Sequence, residues 1–441
     1  MMELNKPKVA DFSLDKVAEK TQAYWKMPKA PLNPDGFDCV VVGAGLSGLV
    51  CVQQLIDSPS AARIRSLHVI EFGEGVGGRL RSCEPPAGAR SPAPAGVRSR
   101  AHTLSTAKPG IDLGAAWSWS SDKNVRKLAR DMDIDTIEQP WEGKIVECND
   151  GGRRTLRDAR HGESPSGGGS VRFLDGGAAQ ICRKLKSEIE ELRASNKIVW
   201  HFGTAVEAVG AIPETDEMEV LLSDETTITG LAVVFCCPPT AVAKIEMHPP
   251  LPEQRLQAMK LCQTWMSTTL KFSCIYEGKF WEEEELSGFG SLVFDEDDDA
   301  HIVETVWNNS DCQTFCIAGF ARPPKDEDIE EGKVRKKIYD DLVLLLGENA
   351  REGRLDYVDW SRSLYNCDRF EEGTRQHREY GHPLLKQAHA RRIIFGGTET
   401  ENESGHMEGA IISGKRAANE AYQVMLGRRQ SNKDALGNQY M

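Results

Sequence analysis

The hydrophobic pattern of the chain is clearest between residues 38 and 79. A mainly β-branched run at 39–42 is typical of a buried strand. Apolar residues then recur at helical spacing from Leu46 to Ile56, and a second strand-like run follows at 67–70. The pattern therefore predicts a strand, a helix and a second strand at the start of an α/β fold.

Later parts of the chain alternate in the same way. An amphipathic helix is predicted at 13–26, with Ser13 as its cap. Further helices are expected at 123–132, from about 178 to 192, at 333–346 and at 404–425. Strands are expected at 197–209, 218–222, 232–237, 270–281 and 301–320, with a last strand and turn at 392–400. Two stretches without periodicity, 84–109 and 150–170, are predicted to be irregular, and the first is expected to be a mobile insertion.

The first strand breaks into the turn Gly43-Ala44-Gly45-Leu46-Ser47-Gly48, which reads G-x-G-x-x-G. Gly43 allows a tight turn, Gly45 lets backbone N–H groups approach a pyrophosphate, and Gly48 allows close packing of helix on strand. Glu71 ends the second strand and would accept hydrogen bonds from a ribose diol. Strand, glycine turn, helix, strand and acid together predict a dinucleotide-binding unit.

A second glycine-rich turn distinguishes between two common dinucleotides. Residues 75–79 read Gly-Val-Gly-Gly-Arg. Arg79 supplies a cation that a pyrophosphate would attract, next to backbone that can approach it closely. This turn favours FAD over NAD as the cofactor.

The composition limits the class of partner and the cellular compartment. A formal net charge of −13 over 441 residues argues against nucleic acid and anionic membranes and favours cationic substrates. No apolar run approaches the ~20 residues that a bilayer span needs, and the acidic N-terminus is unlike a signal peptide. Twelve cysteines without paired C-x-x-C spacing indicate thiols in a reducing, cytoplasmic compartment and suggest no metal site. We therefore expect a soluble protein.

Several of these motifs resemble the flavin amine oxidase superfamily, whose first βαβ unit ends in an acid followed by G-G-R. Residues 110–117 resemble its D-L-G-G segment, where the backbone passes the isoalloxazine ring. Residues 395–400 and 404–410 closely resemble the F-A-G-T-E-T and S-G-Y-M-E-G-A signatures of monoamine oxidases. The resemblance covers nearly all of residues 37–425. It implies an α/β fold in which a Rossmann-like FAD-binding domain is interleaved with a smaller α+β substrate domain.

The resemblance also implies roles for single residues. In the family a lysine at the end of a strand acts through a water behind the flavin, and Lys271 in the segment 267–272 matches it. The helix that begins in the last signature points at the flavin pyrimidine, and a glutamate binds a ribityl or phosphate-side group. Val206 matches the position whose backbone meets the adenine. The implied cofactor-binding residues are Gly43, Ala44, Gly45, Leu46, Ser47, Gly48, Glu71, Gly78, Arg79, Ala116, Trp117, Val206, Gly397, Glu399 and Met407.

The predicted substrate pocket departs from the family. Monoamine oxidases flank the amine with two tyrosines, and His406 stands in place of one of them. The other position falls on Phe370 or Asp368, and Trp360 is a third candidate for substrate contact. The family's helical lid has only residues 133–171 available here, so we expect it to be largely absent and the pocket to be wide.

Some relatives join the flavin covalently to a cysteine, and the matching position is ambiguous here. Counting forward from Trp360 gives Arg369, whereas counting back from Tyr380 gives Cys367. The conflict implies a loop deletion. An ordinary thiol at Cys367, and therefore non-covalent FAD, is the favoured interpretation.

The expected activity is oxidation of an amine to an imine, with O₂ as acceptor and H₂O₂ as product. The small lid also resembles renalase-like proteins, which act on dihydronicotinamides, and a non-catalytic flavin-fold scaffold is a further alternative. The C-terminal signatures favour the amine oxidase. A small-molecule amine and O₂ are the expected partners, and a homodimer stays open.

The order of the motifs predicts how the chain divides between the two domains. The segments are an N-terminal helical extension (1–36), three parts of the FAD-binding domain (37–135, 172–268 and 390–428), a reduced segment of the substrate domain (136–171), its main part (269–389) and a flexible tail (429–441).

Overall fold

The fold comes from a computed structural model of the chain. The described residues are 37–58, 61, 64–83, 110–140, 142–149, 152–158, 170–174, 176–191, 197–213, 215, 217–264, 266–294, 300–311, 314–326, 329–362, 380–402 and 405–426. The predicted helix at 13–26 and the predicted insertion at 84–109 lie outside them.

Strands and helices alternate along most of the chain. The strands are β1 Phe37–Val42, β2 Ile64–Glu71, β3 Ser82–Cys83, β4 Ile111–Asp112, β5 Trp117–Ser118, β6 Thr136–Glu138, β7 Lys144–Asn149, β8 Arg154–Asp158, β9 Val171–Phe173, β10 Lys197–Phe202, β11 Val206–Ala211, β12 Met218–Leu222, β13 Thr227–Gly230, β14 Ala232–Phe235, β15 Glu246–His248, β16 Leu270–Tyr276, β17 Leu286–Val293, β18 Val303–Asn308, β19 Phe315–Ala321, β20 Arg354–Asp359 and β21 Ile393–Phe395. The helices are α1 Leu46–Ile56, α2 Lys123–Asp131, α3 Ala179–Glu191, α4 Pro239–Val242, α5 Glu253–Leu261, α6 Phe280–Glu283, α7 Glu331–Leu346, α8 Pro383–Lys386 and α9 Met407–Met425.

A five-stranded parallel sheet forms the centre of the dinucleotide-binding unit. Its order is β10-β2-β1-β14-β21, so five strands from four distant parts of the chain meet side by side. Helices α1, α3 and α9 pack on one face through a shared apolar core. Both faces are covered, which is why β1 and β14 read as continuous apolar runs rather than as alternating ones.

A four-stranded sheet of order β13-β12-β11-β15 covers the other face of the parallel sheet. Val40 and Phe235 of the parallel sheet share a core with Val206 and Val209 of β11. Residues on opposite faces of β1 thus enter different cores, because successive side chains of a strand point to opposite sides.

The second domain is built on a seven-stranded sheet of order β20-β16-β19-β18-β17-β7-β8. Helix α7 packs on it through Ile338, Leu342 and Leu345. Two of its strands, β7 and β8, come from the segment before α3, and the other five follow α5. The α/β fold class with interleaved chain segments is confirmed, whereas the domain boundaries stay predictions.

Four predicted elements differ from the observed ones. The predicted irregular stretch 150–170 contains strand β8, whose polar side chains suit the exposed edge of the sheet and whose register is set by pairing with β7. The predicted strand 197–209 divides at Gly203, which has φ +66°, into β10 and β11 of different sheets.

The predicted strand 270–281 ends at Tyr276, and Phe280 and Trp281 form the short helix α6. Trp281 is fully buried against Tyr276 and Phe280. Its apolar character therefore reflects packing at the end of the sheet and not continuation of the strand. Strand β14 likewise ends two residues earlier than predicted, at Phe235.

Within the described part of the chain, no helix has both the length and the apolar character required to cross a bilayer. The ten cysteines described there all have free thiols.

Candidate functional site

The turn between β1 and α1 depends on its glycines. Gly43 has φ +100°, in the left-handed region that favours glycine. A Cβ on Gly48 would lie 1.8 Å from the carbonyl oxygen of Gly43, so a side chain there would push the helix off the turn. A Cβ on Gly45 would meet only the carbonyl oxygen of Gly77, at 4.0 Å. Space is therefore open at Gly45, where sequence analysis placed a pyrophosphate.

Helix α1 begins in this turn without a side-chain cap. The first amide groups of a helix have no partner within the helix, and the helix dipole adds positive potential at this end. Ala44, Leu46 and Ser47 are buried around the turn. The arrangement suits an anionic group that accepts hydrogen bonds from backbone N–H groups.

The Glu71 carboxylate accepts hydrogen bonds from two backbone amides, one in the first glycine turn and one just after β2. Its Oε2 accepts from Ala44 N at 2.7 Å and its Oε1 accepts from Gly73 N at 2.8 Å. Burial raises the pKa of the Glu71 carboxyl, and these two backbone hydrogen bonds oppose the rise. Each carboxylate oxygen has a second lone pair, which leaves acceptor capacity for a ribose hydroxyl.

The G-G-R turn lies directly against the first glycine turn. Gly77 N donates to Ala44 O at 3.0 Å, and Gly45 and Gly77 form a parallel bridge. Gly78 has φ +56°. Arg79 then reaches the C-terminal part of the chain, where its Nη1 donates to Glu399 Oε1 at 2.5 Å.

Glu399 is fully buried, and its Oε2 has no hydrogen-bond partner among the described residues. A buried carboxylate oxygen without a donor is costly, so a donor from a bound molecule would satisfy it. The neighbouring Gly397 donates its N–H to Ser47 Oγ at 3.2 Å, and Ser47 Oγ bonds Ser413 Oγ of α9 at 2.9 Å. The first and last motifs of the chain therefore meet at one place.

These features fit a bound dinucleotide. The open space at Gly45, the uncapped helix N-terminus, the remaining acceptor capacity of Glu71 and the unpaired oxygen of Glu399 lie on segments that contact one another. Gly45 and the helix N-terminus would hold the phosphates, Glu71 would hold the ribose, and Glu399 would hold a hydroxyl-bearing part of the cofactor.

Lys271 lies in a box of aromatic rings. It is 1% exposed, and its Nζ lies 5.4, 5.6 and 5.7 Å from the ring centroids of Trp117, Trp307 and Phe320. Phe320 is its direct cross-strand neighbour on β19. The ammonium donates a hydrogen bond to Gly114 O at 2.5 Å. Burial lowers the pKa of Lys271, and the charge of Asp112 opposes that shift.

The backbone around Gly114 is held by the same domain that carries Lys271. Trp360 is buried, and its Nε1 donates to Leu113 O at 2.8 Å. Ala116 is buried, and Trp117 Nε1 donates to Gln139 Oε1 at 3.1 Å. Lys271 and Trp360 thus fix two successive carbonyls of the segment that sequence analysis placed beside the flavin.

His406 immediately precedes α9 as its N-cap residue and is exposed, whereas the next residue, Met407, is buried. Its ring stacks on Trp119, with centroids 4.8 Å apart and an interplanar angle of 27°. Val206 starts β11, beneath the parallel sheet. The remaining predicted pocket positions, Asp368, Phe370 and both alternatives for covalent attachment, Cys367 and Arg369, lie outside the described residues.

Four contributors to the site escaped sequence analysis. Trp307 and Phe320 complete the aromatic box, and Asp112 acts electrostatically on Lys271. Glu408 accepts hydrogen bonds from the first amides of α2, Asn124 N at 3.0 Å and Val125 N at 2.9 Å. Asp112 and Glu408 lie within the motif segments 110–117 and 404–410, which could have marked them, whereas nothing local marks Trp307 or Phe320 as part of the site.

The chain is similar to known proteins over most of its length. Residues 159–421, more than half of the chain, match the family of flavin containing amine oxidoreductases, and residues 41–132 match the NAD(P)-binding Rossmann-like domain. Flavin-containing amine oxidase B of Sus scrofa is 28% identical over 279 residues, which are 59% of this chain and 49% of the relative. A flavin-containing amine oxidase of Danio rerio is 26% identical over 273 residues, with the same coverage of 59% and 49%. The chain thus spans about half the length of the curated relatives it matches.

Two solved structures have a similar fold. Cyclohexylamine oxidase from Brevibacterium oxydans superposes with a TM-score of 0.67 at 15% identity, covering 88% of this chain and 99% of the other. Putrescine oxidase bound to putrescine superposes with a TM-score of 0.66 at 17% identity and the same coverage. At such identities the likeness concerns the fold. By the match over more than half of its length, the chain belongs to the family of flavin-containing amine oxidoreductases.

Proposed function

We propose that this protein is an FAD-dependent amine oxidase that converts an amine to an imine and transfers the electrons to O₂, which leaves as H₂O₂. The observation that carries the proposal is Lys271, a buried ammonium boxed by three aromatic rings and bonded to Gly114. Such a group is costly to bury and is typical of functional sites. Family membership supports the choice of chemistry.

A bound flavin would supply the redox chemistry by accepting two electrons and one proton from the C–H bond beside the amine nitrogen, which loses its own proton. The residues of the chain would bind and orient the cofactor and a water. The β1–α1 turn, Glu71 and Glu399 would hold the nucleotide and ribityl groups. Lys271 Nζ has hydrogen atoms beyond the one it gives to Gly114 O, with which it would hold a water in a site that excludes bulk solvent.

We infer that the FAD is bound non-covalently. The groups that would hold it act by hydrogen bonds and charge, from the remaining acceptor capacity of Glu71 to the Glu399 Oε2 that lacks a donor among the described residues. The test is denaturation in acid: non-covalent flavin passes into the supernatant, whereas covalently bound flavin stays yellow in the pellet.

The proposed substrate is an amine larger than benzylamine that carries a polar or acidic group. His406 is exposed at the start of α9 and offers a ring N–H donor where a tyrosine stands in monoamine oxidases. Trp119 backs its ring, which fixes the direction of the imidazole. The net charge of −13 would attract the cationic amine end.

The activity is tested with the purified protein. Its visible spectrum should be that of an oxidised flavin, an added amine substrate should bleach it without oxygen, and air should restore it with one H₂O₂ per imine formed. A colourless protein that takes up no FAD would contradict the cofactor. A yellow protein that only dihydronicotinamides bleach would contradict the amine substrate.

A further inference from the structure

Two oppositely charged side chains are buried beside the segment that Lys271 contacts. Lys271 is 1% exposed and Asp112, the last residue of β4, is 5% exposed. Burying either charge alone would cost several kcal/mol. The two groups must therefore be considered together.

The backbone brings Asp112 and Lys271 to the same place. Lys271 Nζ donates to Gly114 O, two residues after Asp112. Ser273 lies two residues after Lys271, on the same face of β16, and its Oγ donates to Asp112 O at 3.5 Å. The two contacts run antiparallel between the same short segments, because Lys271 reaches Gly114 whereas Ser273 reaches Asp112. Asp112 and Lys271 therefore lie in one buried contact between these segments, two residues apart in register.

A backbone amide holds the Asp112 carboxylate in place. Its Oδ1 accepts from Ala178 N at 2.9 Å, just before the start of α3. Gly177, with φ +65°, leaves the room it needs, because a Cβ there would lie 2.2 Å from Oδ1. The carboxylate therefore cannot move from this place without losing a buried hydrogen bond.

The charged and titratable groups around the pair are few. Asp112 is acted on by Lys271, Arg172 and Arg183, with Lys271 the strongest of the three, and Lys271 is acted on by Asp112 and the Cys316 thiol. Both arginines are engaged elsewhere: Arg172 Nη2 donates to Ser310 O at 2.6 Å and Arg183 Nη2 donates to Gly176 O at 3.0 Å. Among the described residues, Lys271 is thus the cation that acts most strongly on Asp112, and Asp112 is the carboxylate that acts on Lys271.

We propose that Asp112 is a positioning residue for Lys271, whose buried carboxylate keeps the ammonium charged and directed at the Gly114 carbonyl. The two side chains then gain and lose protons as a pair. Burial raises the pKa of Asp112 and lowers that of Lys271, and each charge opposes the shift of the other. The consequence for catalysis rests on the proposed function, whereas the interaction between the two residues does not.

The first experiment is a pH profile of the Asp112→Asn holoenzyme. The amide keeps an acceptor for Ala178 N but removes the negative charge that holds up the Lys271 pKa. Whichever state of Lys271 the reaction needs, the pH at which its rate changes should move down by about one unit or more, a tenfold change in the proton equilibrium. An unmoved profile in a folded, flavin-loaded variant would overturn the proposal.

Asp341→Asn is the matched control. Asp341 is also fully buried and accepts from two backbone amides, Ile302 N at 2.8 Å and Val303 N at 2.9 Å, but it pairs with His301 and is absent from the groups acting on Lys271. Its replacement should lower the melting temperature and leave the pH profile in place. A shift of the profile in both variants would mean that any buried carboxylate produces it.

The second experiment needs no activity. The melting temperatures of Lys271→Met, Asp112→Asn and the double variant are compared at one pH and at equal flavin content, because bound cofactor itself raises the melting temperature. Each single variant leaves an unpaired buried charge, so the loss in the double variant should be smaller than the sum of the single losses. Additive losses would overturn the proposal, and Lys271→Met combined with Asp341→Asn should be additive.

The two proposals fail separately. Non-additive melting temperatures in a protein that oxidises no amine would contradict the proposed function and keep the pair. Additive losses of melting temperature in an active amine oxidase would contradict the pair and keep the proposed function. If Asp112→Asn alone is not recovered folded, recovery of the double variant supports the pair, and failure of both contradicts it.

Discussion

Burial determines which single residues of this chain can carry chemistry. Lys271 lies on β16, whose residues are all buried, and there three rings surround its ammonium and one carbonyl accepts from it. Charges interact more strongly in such surroundings because the medium screens them poorly. Glu399 is a similar case, because one of its oxygens pairs with Arg79 and the other has no donor in the described part of the chain.

Replacing Lys271 with Met tests the lysine while a side chain of similar length still fills the aromatic box. We expect oxygen-dependent reoxidation of the reduced protein to slow by about 100-fold, within the range for loss of a proton-handling group. Stopped-flow absorbance measures this rate separately from the rate of anaerobic reduction by the amine.

Lys279→Met is the control for this substitution. Lys279 follows the same strand, but its Nζ pairs at the surface with Glu282 at 2.8 Å. Both rates should stay at the wild-type value. Lys271→Met protein with full flavin and two unchanged rates would show that the lysine plays no part in the reaction.

The glycine turn and Lys271 could be predicted as site residues from sequence because their signals are local: a spacing of three glycines, and a lysine in a recognisable segment. The surroundings of Lys271 could not. Trp117, Trp307 and Phe320 are separated by up to 203 residues, from 117 to 320, and nothing in the neighbourhood of any one of them predicts the other two. Side-chain clusters of this kind arise only from tertiary packing.

Periodicity predicted the elements that have a strong pattern of their own. Strands β1 and β14 are buried on both faces and helix α7 has one apolar side, so their types were evident from the sequence. Strand β8 was not, since its polar residues carry no pattern and only its pairing with β7 makes it a strand. The split at Gly203 was missed for the related reason that each half pairs in a different sheet.

Substitutions at two glycines of the β1–α1 turn should have different effects. Gly45→Val should fold, because its Cβ would meet nothing closer than 4.0 Å, but it should lose its flavin because the side chain fills the proposed phosphate space. Gly48→Ala should instead lose several kcal/mol of stability, since its Cβ would lie 1.8 Å from Gly43 O. Flavin absorbance per chain and thermal unfolding distinguish the two outcomes.

Gly278→Ala serves as the control, because a Cβ there has open space around it and its φ is not positive. It should retain both flavin and melting temperature. A Gly45→Val protein that purifies with a full complement of flavin would mean that the turn does not hold the phosphates.

At the scale of the whole molecule, distant segments are joined at the site by a small number of specific contacts. Glu408 caps α2 from 284 residues away, and Arg79 pairs with Glu399 across 320. The convergence of the end motifs was predictable, since motifs that bind one cofactor must meet. The cap by Glu408 was not, because a glutamate in the first turn of its own helix is already favourable there and gives no sign of a second role.

We expect substrate choice to depend on the molecule's net charge together with His406. We expect slow turnover of benzylamine and faster turnover of larger amines or amino acid derivatives that bear a polar or acidic group. Initial rates of H₂O₂ release across arylalkylamines, polyamines, amino acids and dihydronicotinamides measure this directly. His406→Tyr should raise kcat/KM for benzylamine relative to the acidic substrates, because it removes the titratable donor and restores an aromatic face. Fast benzylamine turnover that this substitution leaves unchanged would show that position 406 does not set specificity.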